Sequence, residues 1–276
     1  MRFTKPVLSA LALVGAACSL LPGTVLAQSS SAPLPEPVPI EEWSQAKVIA
    51  MGQAIYQQDT ASWRATDALV GALGQNGIGT VRGWLVVPSG ANQKVRFLKA
   101  SGDGVEAGWD IIVADGRAGA VVPATEPLTT EEQAQWAARQ TAAANIGSLR
   151  CSATLNNVVI KDPDGDGWLV WLLTSTNDAN VVPMGGHYRF HISADGQSVL
   201  RRDQLSNSCL SMSKQIPERG AQPKAIVVSQ IVSAGPVETH VFLSLQNRMP
   251  IYVMASDKMF AVDGMRIRDA SAALRR

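Results

Sequence analysis

The spacing of apolar residues changes near residue 74, from a helical period to a strand period. Upstream, apolar positions recur at helical spacing over 41–58 and 59–73, with Glu41 and Glu42 in the first turn. Asp59 is a plausible N-cap, so the pattern predicts either two helices or one continuous helix. Downstream, short β-branched and aromatic runs predict strands over 80–88, 94–100 and 108–115.

The clearest helix pattern spans 128–147 and ends in a glycine. Thr129 or Thr130 can cap this helix, and Glu132 or Gln133 can complete a capping box. From Cys151 onward the segments have strand character, and they predict strands over 152–161, 168–176, 224–235, 238–256 and 258–269, with a hairpin turn at Asp195-Gly196. The predicted fold class is α+β, with a helical N-terminal third followed by predominantly antiparallel strands.

The N-terminus has the features of a secretory signal. Arg2 and Lys5 precede an apolar run from Val7 to Leu21, and we expect residues 1–27 to be removed on export. A lipoprotein anchored through Cys18 is the alternative, and both hypotheses predict a periplasmic or secreted protein. The apolar run is shorter than the about 20 residues that a bilayer span needs. We therefore expect no transmembrane segment in the mature chain.

A Ser- and Pro-rich spacer is predicted over 28–40, because alternating prolines remove the amide donors that helices and sheets need. Beyond it we expect an α+β part over 41–147 and a strand-rich part over 148–276. The two parts form either one continuous domain or two.

The predicted mature chain retains Cys151 and Cys209. In an exported protein this pair predicts a disulfide, with two free buried thiols as the alternative. The full chain has 24 basic and 23 acidic side chains, so no basic excess points to nucleic acid or anionic lipid. An envelope protein or another periplasmic component is the partner class that remains.

The stretch DPDGDGW begins like a calcium loop, with Asp162, Asp164 and Asp166 at alternate positions. A full calcium loop carries a bidentate carboxylate at its twelfth position. That position is Leu173 in this chain, and the strand-like run that contains Leu173 has no acid. We therefore favour a plain turn, with weak calcium binding through the three aspartates as the alternative. No other metal site is expected.

A second polar cluster surrounds Trp63 and contains Asp59, Arg64 and Asp67. On a helix, Trp63 shares a face with the aspartate four residues before it and the one four residues after it. The favoured interpretation is a capped helix with an Arg64 ion pair and a core Trp63. A small recognition surface is the alternative.

Catalytic motifs are absent from the sequence, which contains no nucleophile elbow, P-loop or dinucleotide fingerprint. The catalytic residues of any enzyme activity are therefore unknown, and no cofactor is expected. His187 and His191 could add to a polar surface, but on a strand they lie about 13 Å apart and cannot bind one metal.

Several local signatures occur together: AIYQQDTASWRATDAL, VRGWLVV with KVRFL, RCSATLNNVV, LVWLL, GGHYRF, LSNSCL and HVFLSLQNRMPIYV. The set resembles a family of exported proteins of unknown function from Gram-negative bacteria, over a region from about Ala46 to Ile267. The resemblance implies a periplasmic or secreted protein. It implies no chemistry, so no catalytic residue follows from it.

The sequence therefore favours an exported protein that acts as a non-catalytic binding or envelope-associated module. A periplasmic hydrolase with an unidentified site is the alternative. A weak calcium-dependent module is the third hypothesis.

Overall fold

The structure, a computed structural model, describes residues 38–215 and 224–272 of the chain. The predicted signal peptide and most of the predicted spacer lie outside the described residues. One long helix is followed by mostly antiparallel strands and two further helices, which confirms the α+β class. The described residues belong to one compact unit, and none of their helices has both the length and the hydropathy to cross a membrane.

The first element is a long helix, α1 (Gln45–Ile78), which continues through Asp59 without a break. It begins after Ser44, whose side chain accepts a hydrogen bond from the Lys47 amide at 3.3 Å and caps the helix. Asp59 is therefore not an N-cap. The interruption lies at Gly74, where a φ of 68° favours a residue without a Cβ.

The segment before α1 is part of the fold, although the sequence pattern placed its first residues in a spacer. Ile40 is buried, and its amide donates to the Val232 carbonyl at 3.1 Å. The pattern places Glu41 and Glu42 in the first turn of the helix, and this is wrong, because both residues precede α1. The chain is thus anchored on the core before α1 starts.

The C-terminal half of α1 covers a first sheet, a meander of β1 (Val81–Ser89), β2 (Asn92–Ser101) and β3 (Gly104–Ala114). These strands pair antiparallel, and the short strands β4 (Arg117–Ala118) and β5 (Val122–Pro123) both pair with β3. A core forms where the helix meets the sheet, and its buried residues are Ala61, Ala65, Leu69, Val86, Val95, Phe97, Ile111 and Val113.

Helix α2 (Thr130–Ala144) begins with the predicted capping box. The Glu132 amide donates to the Thr129 hydroxyl at 3.1 Å, and the Thr129 amide donates to the Glu132 carboxylate at 2.9 Å. The C-cap is Asn145, so the helix ends before the glycine at position 147 that the pattern used as its end.

Helix α2 packs on a second, antiparallel sheet. Its strands are β6 (Leu155–Lys161), β7 (Trp168–Thr174), β9 (Tyr188–Ile192) and β10 (Val199–Gln204), in the order β10-β9-β7-β6. The predicted turn at Asp195-Gly196 joins β9 to β10, which confirms the hairpin. Two short strands, β8 (Val181–Pro183) and β11 (Ser211–Ser213), pair with each other beside this sheet.

The last described strands form a third sheet that includes a parallel pair. Strands β12 (Ile226–Gln230) and β13 (Ile251–Ala255) run parallel and are joined by helix α3 (Glu238–Asn247). Strands β14 (Lys258–Asp263) and β15 (Arg266–Asp269) then follow antiparallel.

Helix α3 corrects the prediction of a strand over 238–256. Every residue from Glu238 to Ser244 is buried, so α3 lacks the polar face that makes a helix visible in a sequence. The helix starts where the Val237 amide donates to His240 Nδ1 at 3.0 Å. It ends at Arg248, which adopts a left-handed conformation with a φ of 50°.

Helices α1 and α3 are in close contact at Gly52. A Cβ at this position would lie 2.5 Å from the Cβ of Val241 and 2.7 Å from the Glu238 carbonyl oxygen, so glycine permits the approach. The N-terminal half of α1 therefore shares a core with α3 and β7, while its C-terminal half shares another with the first sheet.

Both faces of the second sheet are covered, and every residue of β7 is buried. Trp168 packs into the core beneath α2, and Trp171 packs into the core beneath α1 and α3. The two tryptophans thus lie on opposite faces of one strand and do not form a joint surface.

The predicted disulfide between Cys151 and Cys209 is formed, with the two Cα atoms 5.3 Å apart. Cys151 precedes β6 and Cys209 follows β10. The bridge links segments attached to the two outermost strands of the second sheet, β6 and β10.

Replacing both cysteines with alanine should lower the free energy of unfolding by about 2–5 kcal/mol, because the unfolded chain gains the entropy of an open loop. Chemical denaturation of the double variant and the parent protein measures the difference. Alkylation of the native parent without reductant should label neither thiol, and full labelling would contradict the bridge.

Candidate functional site

The polar cluster that the sequence placed on α1 opens onto a cleft. Trp63 is 54% exposed, so the interpretation of Trp63 as a core residue is wrong. Arg64 stacks on its ring, with the guanidinium carbon 4.2 Å from the ring centroid, and no ion pair of Arg64 occurs in the described part of the chain. Asp59 and Arg64 line the cleft, whereas the exposed Asp67 does not.

The cleft has a volume of about 720 Å³ and is built from four elements. Its long wall is the middle of α1. The opposite side is formed by Trp84 of β1, by residues at the start of β6 and by the end of α3. The polar side chains that contribute from β6 and α3 are Asn156, Asn157, Gln246 and Arg248.

Asp59 lies in the wall of the cleft and is held by Gln246, whose Nε2 donates to a carboxylate oxygen at 3.2 Å. Burial raises the pKa of Asp59 to about 6, and the Gln246 hydrogen bond opposes this shift. A small change in the surroundings of Asp59 can therefore change its protonation state. The ionised carboxylate only accepts hydrogen bonds, whereas the protonated carboxyl group also donates one.

Several polar groups of the cleft have no partner within the described residues. The side chains of Asn156 and Arg248 make no hydrogen bond or ion pair there, and both residues are exposed. Trp84, in contrast, is held in place by Arg139, which stacks 4.7 Å from its ring centroid and donates to its carbonyl at 3.2 Å. The cleft thus combines a positioned aromatic ring with polar groups that are free to bind a ligand.

A second group of charged residues is buried around Arg189 of β9. The guanidinium donates to Asp203 of β10, with Nη2 to Oδ2 at 2.6 Å, and to both carboxylate oxygens of Glu238 at 3.3 Å. It also donates to the Glu41 carbonyl at 2.8 Å, and Trp43 covers its face at 3.7 Å. The buried guanidinium thus faces two buried carboxylates, and Asp203 gains a second cation from the half-exposed Arg201. The groups are paired with one another, so the cluster has a structural role.

Glu41, His191 and Asp203 come close to a metal-binding arrangement, with one potential ligand atom each within 4.8 Å of one another. Asp203, however, already accepts hydrogen bonds from Arg189 and from Arg201 at 2.8 Å. A cation at this position would lie beside two guanidinium groups, so the geometry favours an ion-pair cluster over a metal centre.

His191 contacts Glu41, with Nε2 to Oε2 at 2.9 Å, yet this buried nitrogen has no hydrogen-bond partner among the residues that the structure describes. The contact therefore does not have hydrogen-bond geometry, and the two groups are only close to each other. Burial lowers the pKa of His191, with Arg189 adding to the effect and Glu41 opposing it. The imidazole is therefore mainly neutral near neutral pH.

His187 does not contribute to a polar surface, because it is buried beside β7. Its Nδ1 accepts the Thr174 amide at 3.1 Å, and its Nε2 lies 2.9 Å from the Pro183 carbonyl. Burial lowers the pKa of His187 to about 4 and that of His240 to about 3. Both rings act as neutral structural hydrogen-bonding groups.

The aspartates of the predicted calcium loop lie in the turn between β6 and β7, where they face different partners. Asp164 pairs with Lys47 of α1 at 2.6 Å. Asp162 accepts the Asp164 amide at 3.0 Å and lies 3.9 Å from His191 Nδ1, while Asp166 is exposed. The turn thus helps to hold α1, and the absence of tight calcium binding stays a prediction.

Comparison with protein-family models, curated proteins and solved structures finds no match. The site must therefore be interpreted from its own geometry. Sequence reasoning had singled out Asp59 and Arg64, but it missed Trp84, Asn156 and Gln246, which come from distant segments. No local signal marks these three, because their proximity arises only when α1, β1, β6 and α3 are assembled.

Replacing Arg189 with methionine should lower the free energy of unfolding by about 3–5 kcal/mol, because Glu238 would be left buried without a cation and Asp203 would keep only the half-exposed Arg201. Arg201→Ala is the matched control. The Arg201 side chain is 46% exposed, and its removal should cost less than about 1 kcal/mol. Chemical denaturation of both variants tests this difference, and equal effects would show that the buried cluster has no special role.

Asp59→Asn should be more stable than the parent protein near neutral pH. Because burial raises the pKa of Asp59 from 3.8 to about 6, its ionised form destabilises the folded state above that pH, and this penalty fades as pH falls from about 6 towards 3.8. The difference between variant and parent should therefore shrink over that range. Denaturation at a series of pH values measures it, with Asp67→Asn as the exposed control, and an unchanged difference would contradict it.

Proposed function

We propose that this protein is an exported, non-catalytic binding protein whose ligand occupies the cleft beside α1. The observation that carries the proposal is the convergence of Trp63, Trp84 and unpartnered polar side chains on one half-open cavity of about 720 Å³. Ligand pockets typically have volumes of roughly 300–1,000 Å³ and combine aromatic surface with a few polar groups. An indole ring that is 54% exposed offers apolar surface that a ligand can cover.

The chemistry of the lining supports binding over hydrolysis. Asp59 is the only carboxylate among the described residues that line this cleft, whereas most glycoside hydrolases use a pair of carboxyl groups. The described residues that line the cleft include no histidine either, so Ser62 and Thr66 have no imidazole in this lining to activate them. Ser62 also donates to the Gln58 carbonyl at 2.7 Å.

Export is supported by two separate features. Residues 1–27 have the composition of a secretory signal, and the Cys151–Cys209 disulfide is typical of a protein that folds in an oxidising compartment. The resemblance to exported Gram-negative proteins agrees with both features. A periplasmic or secreted location, with an envelope component as the ligand, is therefore the setting that we propose for the cleft.

Titration of isotope-labelled protein with a chitin disaccharide, glucuronic acid and tri-alanine tests the site. At least one probe should shift the NMR signals of Trp63, Trp84 and Asn156 together. Trp63→Ala should weaken binding of that probe about tenfold, since the loss of one aromatic contact is worth about 1.4 kcal/mol.

Leu200→Ala is the matched control, because Leu200 is 68% exposed and lies outside the cleft lining. It should leave the affinity unchanged. Shifts that map to another face of the protein, or full affinity in Trp63→Ala, would show that the cleft is not the binding site.

A further inference from the structure

The cleft adjoins two further clefts. A second cleft of about 520 Å³ shares Tyr56 and Thr60 with it, and a third of about 360 Å³ shares Asn156, Ala179 and Gln246. We call the three clefts together the α1 groove, and the 720 Å³ cleft its central section. The groove passes from the β1–β2 hairpin over α1 to the segment after β7.

Strand β1 supports the continuity of the α1 groove. Trp84 lines the central section and Val86 lines the 520 Å³ section. The two sections therefore adjoin neighbouring residues of β1, and Val87, which points to the other face of the strand, also lines the 520 Å³ section. A ligand that fills them both must be longer than a compact small molecule.

Neutral side chains with both donors and acceptors dominate this groove. Unpartnered amides occur in all three sections: Gln57, Asn92, Gln93, Asn156 and Asn177 make no side-chain hydrogen bond within the described part of the chain. Amide groups both donate and accept hydrogen bonds, as sugar hydroxyls do.

The charges of the α1 groove balance. The acids are Asp59, Asp115 and Asp178, and the bases are Arg64, Lys214 and Arg248. A highly charged polymer would therefore gain no long-range attraction from this lining. The lining favours a neutral ligand that is rich in hydroxyl groups.

An extended peptide fits this groove less well than a glycan. A peptide strand would pair with the free edges of β1 and β6, but the Gln135 side chain already donates to the Val86 and Val159 carbonyls at 3.1 and 3.2 Å. Arg139 likewise donates a hydrogen bond to the Trp84 carbonyl. The acceptors that strand addition would use here are thus satisfied.

We propose that the α1 groove binds a linear, neutral glycan of several sugar residues. The proposal rests on the proposed binding function and adds the class and length of the ligand. In the central section Trp63, which is 54% exposed although Arg64 stacks on its ring, would pack on the apolar face of a sugar ring. The unpartnered amides would bind hydroxyl groups along the glycan.

Calorimetric titration with linear neutral hexasaccharides and their disaccharides tests this proposal. The probes are β-1,4-linked N-acetylglucosamine, β-1,4-linked glucose and α-1,4-linked glucose. At least one hexasaccharide should bind tenfold or more tightly than its disaccharide, because it reaches the outer sections. Equal affinity of all three pairs, or no binding of any glycan, overturns the proposal.

Variants at the two ends of the α1 groove show whether its full length is used. Gln57→Ala with Asn92→Ala changes one end, and Asn177→Ala changes the other. Each should weaken hexasaccharide binding severalfold and leave the disaccharide unaffected. Gln197→Ala is the control, since Gln197 is an exposed amide outside the groove.

The outcomes separate this inference from the proposed function. If hexasaccharide affinity depends on Trp63 but not on either end, the long groove is wrong and the binding function stands. If only tri-alanine binds through Trp63, the glycan class is wrong and the site stands. If Trp63→Ala changes the binding of no probe, both proposals fall.

Discussion

The fold depends on the neutralisation of one buried cation, the guanidinium of Arg189. Asp203 of β10 and Glu238 of α3 supply the opposing charges, and the Glu41 carbonyl supplies a further acceptor. An isolated charge in a protein interior costs several kcal/mol even after relaxation. The hairpin, the third helix and the segment before α1 must therefore come together around β9 for the second sheet to be stable.

This requirement determines where α1 starts. Trp43 covers the Arg189 guanidinium and packs edge-on against Trp171, whose indole nitrogen donates to Glu238 at 2.8 Å. The helix begins shortly afterwards, and its contact with α3 at Gly52 sets its path. The residues that form the wall of the cleft follow on the same helix, before its interruption at Gly74. The geometry of the cleft thus depends on a charge cluster that contributes nothing to its chemistry.

Local signals were enough to predict the elements that local interactions stabilise. The capping box of Thr129 and Glu132 and the turn at Asp195-Gly196 need only a few adjacent residues. The turn was predicted from the sequence, and the box was predicted with Thr130 and Gln133 as its alternative members. Helix α3 was missed because it is buried on nearly all sides, so its apolar run lacks the period of an amphipathic helix. Two parallel strands need a long connection between them, usually a helix. Because α3 was not predicted, the parallel pairing of β12 with β13 was not predicted either.

The cleft itself could be predicted only in part, and the errors are informative. Two local rules failed on α1: Asp59 was expected to cap a helix, and Trp63 was expected to be buried. Asp59 is instead a half-buried carboxyl in mid-helix, and Trp63 is an exposed indole. Each arrangement is unfavourable for stability on its own. Natural proteins break such rules at functional sites, and both exceptions line the cleft in which we propose that the ligand binds.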